Sequence, residues 1–238
     1  MNFIPLENLS QLLKQRYSYY PQESNGAGSG KTRTSAGAGL VALLETGQLG
    51  EQCEARFSAL FSRLVCLAGL GDTTGLPGLA ALFSSLGCPA VAAVCGVNPD
   101  PSDAGDVVGA VCGVVAALAR TAPRYLPRAV AGVAPSTLAG PQPSRLVSCA
   151  VLTELARGGA GSNLLPFLLP ALLAAWEQPA TDPHCSRVRL VVLEGLQGAA
   201  RTADSALAAL VVPALHAATV DQDPDLALAA LQVVFVMF

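Results

Sequence analysis

The chain has 238 residues, of which 52% are apolar and only 13% are charged, and its formal net charge is −3 at pH 7. Ordinary soluble domains carry about 25% charged residues, so this chain has few side chains that solvate a surface. The slightly acidic balance, without a basic stripe, argues against a nucleic-acid-binding protein. Seven cysteines without a CxxC pair predict reduced thiols, as in a cytoplasmic protein, rather than a disulfide framework.

The first 39 residues are predicted to be an N-terminal segment followed by a flexible linker. Leucines recur at helical spacing within residues 6–13, and residues 21–39 are rich in Gly, Ser, Ala and Thr, a composition typical of linkers. No secretory signal is expected, because Pro5, Glu7 and Asn8 stand where its apolar core would be. We therefore expect a cytoplasmic location.

One motif within this linker suggests a nucleotide site. The run that starts at Asn25 ends in Gly30, Lys31 and Thr32, the same three residue types that end a phosphate-binding loop. In such a loop the backbone amides and the lysine contact the phosphates. That motif requires glycine where this chain has Asn25, and an apolar strand before the loop, which residues 17–24 do not provide. The linker interpretation is preferred, and a P-loop-type nucleotide-binding protein is retained as an alternative.

Helical periodicity begins at residue 40. Residues 40–100 are predicted to form the first, weakly defined helical repeats, in which Phe57, Phe61 and Leu64 mark the apolar side of one long helix. The segment 97–103, rich in Pro and Asp, is the strongest turn signal in the chain. A second region, residues 101–238, is therefore expected to begin near it.

Residues 101–238 repeat one pattern. Three long helices are predicted to end in Ala-Arg, at Arg120, Arg157 and Arg201, and a proline lies in each partner helix. These features recur at intervals of roughly 40 residues, which is the period of HEAT and armadillo repeats. The sequence therefore predicts an all-α fold, a HEAT/armadillo-like helical-repeat solenoid in which helical pairs stack into an α-α superhelix.

The repeats are predicted to be truncated at the C-terminus. The chain stops within the apolar run 231–238, where a helix is expected to continue, and that run holds no charge for a solvated cap. Because an exposed apolar helix is an association site, we expect self-association through the C-terminal helix.

A family resemblance covers roughly residues 105–232. The segment Arg187-Val-Arg-Leu-Val-Val-Leu-Glu-Gly-Leu-Gln-Gly-Ala-Ala, followed by Asp225-Leu-Ala-Leu-Ala-Ala-Leu, resembles paired HEAT units of the maestro heat-like repeat family. Arg145-Leu-Val-Ser-Cys-Ala-Val-Leu-Thr-Glu-Leu is similar to the unit that precedes them, whereas the first forty residues have no counterpart. The resemblance implies an armadillo-like helical scaffold that binds proteins and has no defined active site.

The candidate partner-binding residues are the charges that recur on otherwise apolar repeat helices. In stacked helical pairs, one helix of each pair lines a concave surface, so recurring charges there would form a row for a partner peptide or helix. The alternative is that they are the solvated stripe of amphipathic helices. The candidates are Arg145, Glu154, Arg157, Arg187, Arg189, Glu194 and Arg201.

The remaining chemistry-bearing residues favour structural roles. His184 and His216, the only histidines, have no triad partner and cannot complete a zinc site with the scattered cysteines, so no catalytic residue, metal or cofactor is expected. Trp176 is predicted to be a packing anchor.

The uncharged stretch 158–176 is about long enough to span a bilayer but contains Pro166 and two further breaks, so a membrane-embedded helical protein is only an alternative. The preferred function is a non-enzymatic protein-protein interaction scaffold.

Overall fold

The computed structural model describes most of the chain after residue 29. The described residues are 30–96, Pro99, 104–139, 142–157, 164–177, 185–202 and 205–237. Within these ranges the chain forms α-helices and two short 3-10 helices and contains no strand. The predicted all-α class is therefore confirmed.

The chain divides into two compact units, Met1–Ala117 and Leu118–Phe238. The division falls within one long helix rather than at the predicted boundary between residues 100 and 101. Of the turn segment 97–103, only Pro99 belongs to the described residues. The predicted boundary there remains a prediction.

The first unit is built around an aromatic core. Phe57 stacks on Phe61 with ring centroids 5.5 Å apart, and Phe83 meets both rings at 6.0 and 6.3 Å. The helices of this unit are α1 (Gly30–Glu45), α2 (Gln52–Ala55), α3 (Phe57–Gly69), α4 (Gly75–Ser85), α5 (Pro89–Cys95) and the first part of α6 (Ala104–Thr121).

Helix α1 differs from the linker prediction. It begins at Gly30, so residues 30–39 are helical, while residues 1–29 lie outside the described part of the chain. The reason is tertiary packing: Leu44 is only 2% exposed, and Val41 lies against Gly78 of α4. Because most helical stability in proteins comes from packing of an apolar face, these contacts outweigh the low helix propensity of the glycines.

The second unit contains the predicted repeats. After the end of α6 come α7 (Leu126–Val133), α8 (Gln142–Arg157), α9 (Leu165–Trp176), α10 (Cys185–Thr202), α11 (Ser205–Thr219) and α12 (Pro224–Met237). The two 3-10 helices, Pro123–Tyr125 and Ala134–Thr137, lie before and after α7.

The helices of this unit stack in two layers. In the first layer α8 contacts α10, and α10 contacts α12; in the second layer α7 contacts α9, and α9 contacts α11. Each helix also contacts the next one along the chain across the layers. Successive helical pairs that contact their neighbours in this way are the defining arrangement of helical-repeat proteins. The predicted helical-repeat fold is therefore confirmed.

The tightest contact of the second unit joins α8 to α10. Thr153 on α8 donates a hydrogen bond from Oγ1 to the carbonyl of Val191 on α10, at 2.8 Å. A side-chain carbon at Gly195 would lie 2.7 Å from Thr153 Oγ1, and one at Gly198 would lie 2.9 Å from Arg157 Cγ. The two helices can approach this closely because glycine stands at both positions.

Within the described residues, no single helix is long and apolar enough to cross a membrane. Gly105–Thr121 and Pro123–Thr137 meet the length and composition criteria only as a pair, and the chain bends by 114° between them.

Gly195→Ala tests the α8–α10 contact. Alanine in place of glycine stabilises an unhindered helix by about 1 kcal/mol, but overpacking of a tight interface costs about 1–3 kcal/mol. We expect Gly195→Ala to lower the free energy of unfolding measured by urea denaturation. Gly109→Ala on α6 is the control, because no atom lies within 4 Å of its added carbon, and it should raise the stability. Stabilisation by both substitutions would contradict the close approach of α8 and α10.

Candidate functional site

In the two helical pairs α8–α9 and α10–α11, the charged residues lie in the first layer. Helices α8 and α10 contain all seven candidate residues, whereas α9 and α11 contain no Asp, Glu, Lys or Arg. Helix α8 is enclosed by its neighbours: between residues 144 and 157, only Arg145, Glu154 and Arg157 are not buried. On α8 the polar candidates are therefore the exceptions on an otherwise enclosed helix.

Arg157 and Glu194 form an ion pair between α8 and α10. Arg157 Nη1 lies 3.7 Å from Glu194 Oε2, and the two side chains are 36% and 34% exposed. The stem of Arg157 passes over Gly198, so the close approach of the helices also positions this guanidinium. An ion pair of this length and exposure contributes little to stability, typically below about 1 kcal/mol.

Glu154 lies beside this pair, three residues before Arg157 on α8. Burial raises the pKa of the Glu154 carboxyl, and the charge of Arg157 offsets part of the rise. Residues three apart on a helix share a face, so Glu154 and Glu194 both lie near one arginine. We call Glu154, Arg157 and Glu194 the charged cluster.

Arg189 is not part of this cluster. It precedes Glu194 by five residues, which places it about 140° away around α10. Arg189 Nη1 donates to Asp221 Oδ2 at 3.2 Å, and the guanidinium lies 5.4 Å from the ring centroid of Trp176. Arg189 and Asp221 are 20% and 21% exposed. Arg189 thus joins the end of α9 to the segment before α12.

Of the two residues that contact Arg189, the sequence predicted a role for Trp176 but not for Asp221. Trp176 was predicted to be a packing anchor, and it is, since it is only 8% exposed and packs against Arg189. Asp221 was missed. The sequence signal for Asp221 was its position shortly before Pro224, where a helix begins. In the structure Asp221 Oδ1 accepts a hydrogen bond from the Asp223 amide, and Asp223 Oδ1 accepts one from the Asp225 amide, both at 3.0 Å.

Arg145 also lies apart from the cluster. Its Nε donates to the carbonyl of Thr137, at 3.3 Å, and so joins α8 to the preceding 3-10 helix. It stands nine residues before Glu154, so the two positions lie about 180° apart around the axis of α8. Arg187 and Arg201 lie in α10, but their side chains are outside the described set. By helical periodicity, positions 187, 194 and 201 share one face of α10, with a drift of about 20° per seven residues.

The other predicted motifs provide no second site in the part of the chain that is described. Helix α1 begins at Gly30, and the side chains of Lys31 and Thr32, like the segment before them, are not described. His216 is exposed on α11, and His184 is not among the described residues. Among the described side chains, no group of three His, Cys, Asp or Glu could hold a metal ion.

The cysteines whose side chains are described form no disulfide, and all of them except Cys88 lie within helices. Burial raises the pKa of Cys95 and of Cys149 to about 12. A thiol is nucleophilic as the thiolate, so these two cysteines are inert core residues at neutral pH.

Comparison with known proteins adds little to this picture. No protein-family model and no curated protein matches the chain. Among solved structures it is similar to the designed armadillo repeat protein YIII(Dq)4CqI, at 13% identity and a TM-score of 0.44, over 97% of this chain and 100% of that one. A second designed armadillo repeat protein, in complex with peptide (KR)4, is also 13% identical with a TM-score of 0.44, over 99% of this chain and 100% of that one. The fold assignment rests on the helices and contacts of this chain itself.

Glu154→Gln tests the environment of the charged cluster. The pKa of Glu154 is raised in the folded state, so the ionised carboxylate costs stability at pH 7, and this cost disappears as the pH falls through the folded pKa to the unfolded value near 4.5. We expect Glu154→Gln to melt above wild type at pH 7, with the difference lost below about pH 4. Glu177→Gln, at an exposed position, is the control and should show no such pH-dependent gain. A Glu154→Gln variant that melts below wild type at pH 7 would contradict the net cost of ionised Glu154.

Proposed function

We propose that this chain is a non-enzymatic scaffold that binds a protein partner, and that α8 and α10 provide the binding surface. The observation that carries this proposal is the charged cluster. In a chain with only 13% charged residues, the charges of the second unit's repeat pairs are concentrated on two adjacent helices. The side chains of Arg157 and Glu194 are 36% and 34% exposed, so a partner protein can reach both charges.

The partner segment has to offer charges of both signs. The charged cluster holds one arginine and two glutamates, and positions 187 and 201, both arginines in the sequence, lie on the same face of α10 as Glu194. An acidic partner residue would pair with an arginine, and a basic one with Glu154 or Glu194. Such pairs act mainly on specificity and on the rate of association. Arg145 and Arg189 are left out of the proposed surface, because their guanidinium groups make the internal contacts described above.

We also propose that the chain is a member of the maestro heat-like repeat family. The stacking of α8 on α10 and of α10 on α12 supports this assignment, because these helices hold the segments that resemble the family's HEAT units. A cytoplasmic location is part of the same proposal and rests on the cysteine pattern. Nucleotide binding through Lys31 and a membrane-embedded protein remain the competing candidates, and no observation favours either.

Charge substitutions in the cluster test the scaffold proposal. Arg157→Glu places a third carboxylate beside Glu154 and Glu194, so an acidic partner group is repelled. We expect proteins captured from a cell extract by the wild-type chain to be depleted at least about tenfold by this variant, since like charges at an interface cost several kcal/mol. Quantitative mass spectrometry measures the depletion. Arg63→Glu, at an exposed position of α3, is the matched control and should leave capture unchanged. Equal capture by all three chains would contradict the proposal.

Self-association through α12 is a second proposed interaction. Leu226 and Ala230 are buried, whereas Leu228 and Leu231, on the opposite side of the helix, are 57% and 49% exposed. An exposed apolar pair on one helix favours contact with another apolar surface. We expect the wild-type chain to associate at tens of micromolar, and Leu228→Glu with Leu231→Lys to shift it toward monomer in light scattering. A monodisperse, monomeric wild type would contradict this interaction.

A further inference from the structure

Three arginines at intervals of four residues are exposed at the start of the second unit. Arg120 lies in the last turn of α6, Arg124 lies in the 3-10 helix that follows, and Arg128 lies in α7. All three are exposed and belong to the same unit. The sequence has no basic stripe over its whole length, but residues 107–153 contain no Asp or Glu. We call Arg120, Arg124 and Arg128 the arginine patch.

The exposed side of residues 123–133 is basic and otherwise carries only small side chains. The 3-10 helix continues directly into α7, because the backbone is right-handed helical at both residues of the junction, Tyr125 and Leu126. Four exposed residues of this segment recur at the three- and four-residue spacing of one helical face. They are Arg124, Pro127, Arg128 and Ala131. No bulky side chain of this face therefore stands between the two arginines.

The guanidinium of Arg124 is held in place by its neighbour. Arg124 Nη2 donates a hydrogen bond to Tyr125 Oη at 3.1 Å, and the guanidinium carbon lies 4.9 Å from the centroid of the Tyr125 ring. Tyr125 itself is only 1% exposed, so it is a fixed support. A guanidinium has five N–H donors, so this contact leaves donors for a carboxylate. A side chain that is already ordered also loses less entropy when it binds a partner.

Helix stability does not account for the positions of Arg124 and Arg128. A helix N-terminus carries a partial positive charge and is stabilised by acidic residues, whereas basic residues are unfavourable there. The first turn of α7 contains no acidic residue. The partial charge of the helix and the two guanidinium groups therefore have the same sign on the exposed face. A negatively charged ligand group is complementary to this face.

The composition of the patch favours an acidic protein segment over other anions. Clusters that bind anionic lipids hold about 4–8 basic residues, and helices at a membrane surface add large apolar side chains, whereas this face adds Pro127 and Ala131. Nucleic-acid-binding proteins carry an extended basic surface, but the net charge of this chain is −3. Carboxylates one helical turn apart match Arg124 and Arg128, since residues four apart have their Cβ atoms about 5–6 Å apart.

We propose that the arginine patch binds an acidic segment of a partner protein. Carboxylates of the segment pair with Arg124 and Arg128, and Arg120 adds to the attraction. This inference rests on the proposed scaffold function but concerns a different surface from the charged cluster. The experiment below therefore distinguishes the failure of one from the failure of the other.

The probe is a rhodamine-labelled, alanine-based peptide with capped ends and three glutamates at successive four-residue intervals. A second peptide has glutamine at the same three positions, which removes the charges and keeps the length. Both are titrated with the full chain and followed by fluorescence anisotropy. The titrations are done at low ionic strength, where exposed charge pairs are least screened.

The test variant is Arg124→Glu with Arg128→Glu. The matched control is Arg56→Glu with Arg63→Glu, which reverses two exposed arginines of the first unit and changes the net charge equally. Arg157→Glu separates the arginine patch from the charged cluster. Far-UV circular dichroism checks that each variant is folded, and glutamine replaces glutamate at both positions if the test variant is not.

We expect the glutamate peptide to bind wild type, the matched control and Arg157→Glu with similar affinity. It should bind the test variant at least about tenfold more weakly, because two attractive pairs become repulsive. The glutamine peptide should bind wild type at least about tenfold more weakly than the glutamate peptide.

Absence of glutamate-peptide binding, or an equal loss in the test variant and the matched control, would overturn the inference. So would tighter binding of wild type to phosphatidylserine vesicles or to single-stranded DNA than to the glutamate peptide. Loss of peptide binding by Arg157→Glu alone would assign the acidic segment to the charged cluster and reject the arginine patch. Loss of protein capture by Arg157→Glu with no peptide binding would leave the scaffold proposal standing and reject this one.

Discussion

The organisation of the repeat unit depends on how closely α8 and α10 approach each other. Glycines at 195 and 198 let the backbone of α10 lie against the side chains of Thr153 and Arg157, and the Thr153 hydroxyl donates to the Val191 carbonyl across the same contact. Interiors are packed as densely as organic crystals, so this spacing cannot be changed locally without cost. The contact determines which residues of the two helices become neighbours.

The charged cluster is a consequence of that spacing. Arg157 reaches Glu194 only because its stem passes over Gly198, and Glu154 is partly desolvated because the two helices enclose it. A carboxylate that is costly to ionise beside a half-exposed ion pair is a poor source of stability.

The two layers of the repeat unit differ in chemistry, and this difference organises the functional proposals. The first layer carries charges of both signs on α8 and α10, and the second layer carries none on α9 and α11. Helix α7, at the start of the second layer, carries Arg128 at an exposed position, so the contrast holds for the pairs α8–α9 and α10–α11. The ionic residues of these two pairs lie on the first layer alone.

Local periodicity allowed much of this architecture to be predicted from the sequence. Apolar residues at helical spacing, prolines near helix starts and a recurrence of roughly 40 residues specified an all-α repeat. Trp176 was recognised as a packing residue for the same reason, since it ends an apolar helix. These properties depend on residues close to one another in the chain, and a sequence displays them directly.

The roles of the candidate charges were decided only by tertiary structure. Arg189 and Glu194 lie five residues apart on one helix, yet one contacts Trp176 and Asp221 inside the stack and the other meets Arg157 at its edge. Residues 30–39 had a linker composition and became helical, because Val41 and Leu44 pack against the rest of the first unit. In each case the deciding neighbour comes from another helix or loop. A sequence alone specifies the faces of a helix, but which face meets which partner depends on the packing of the whole unit.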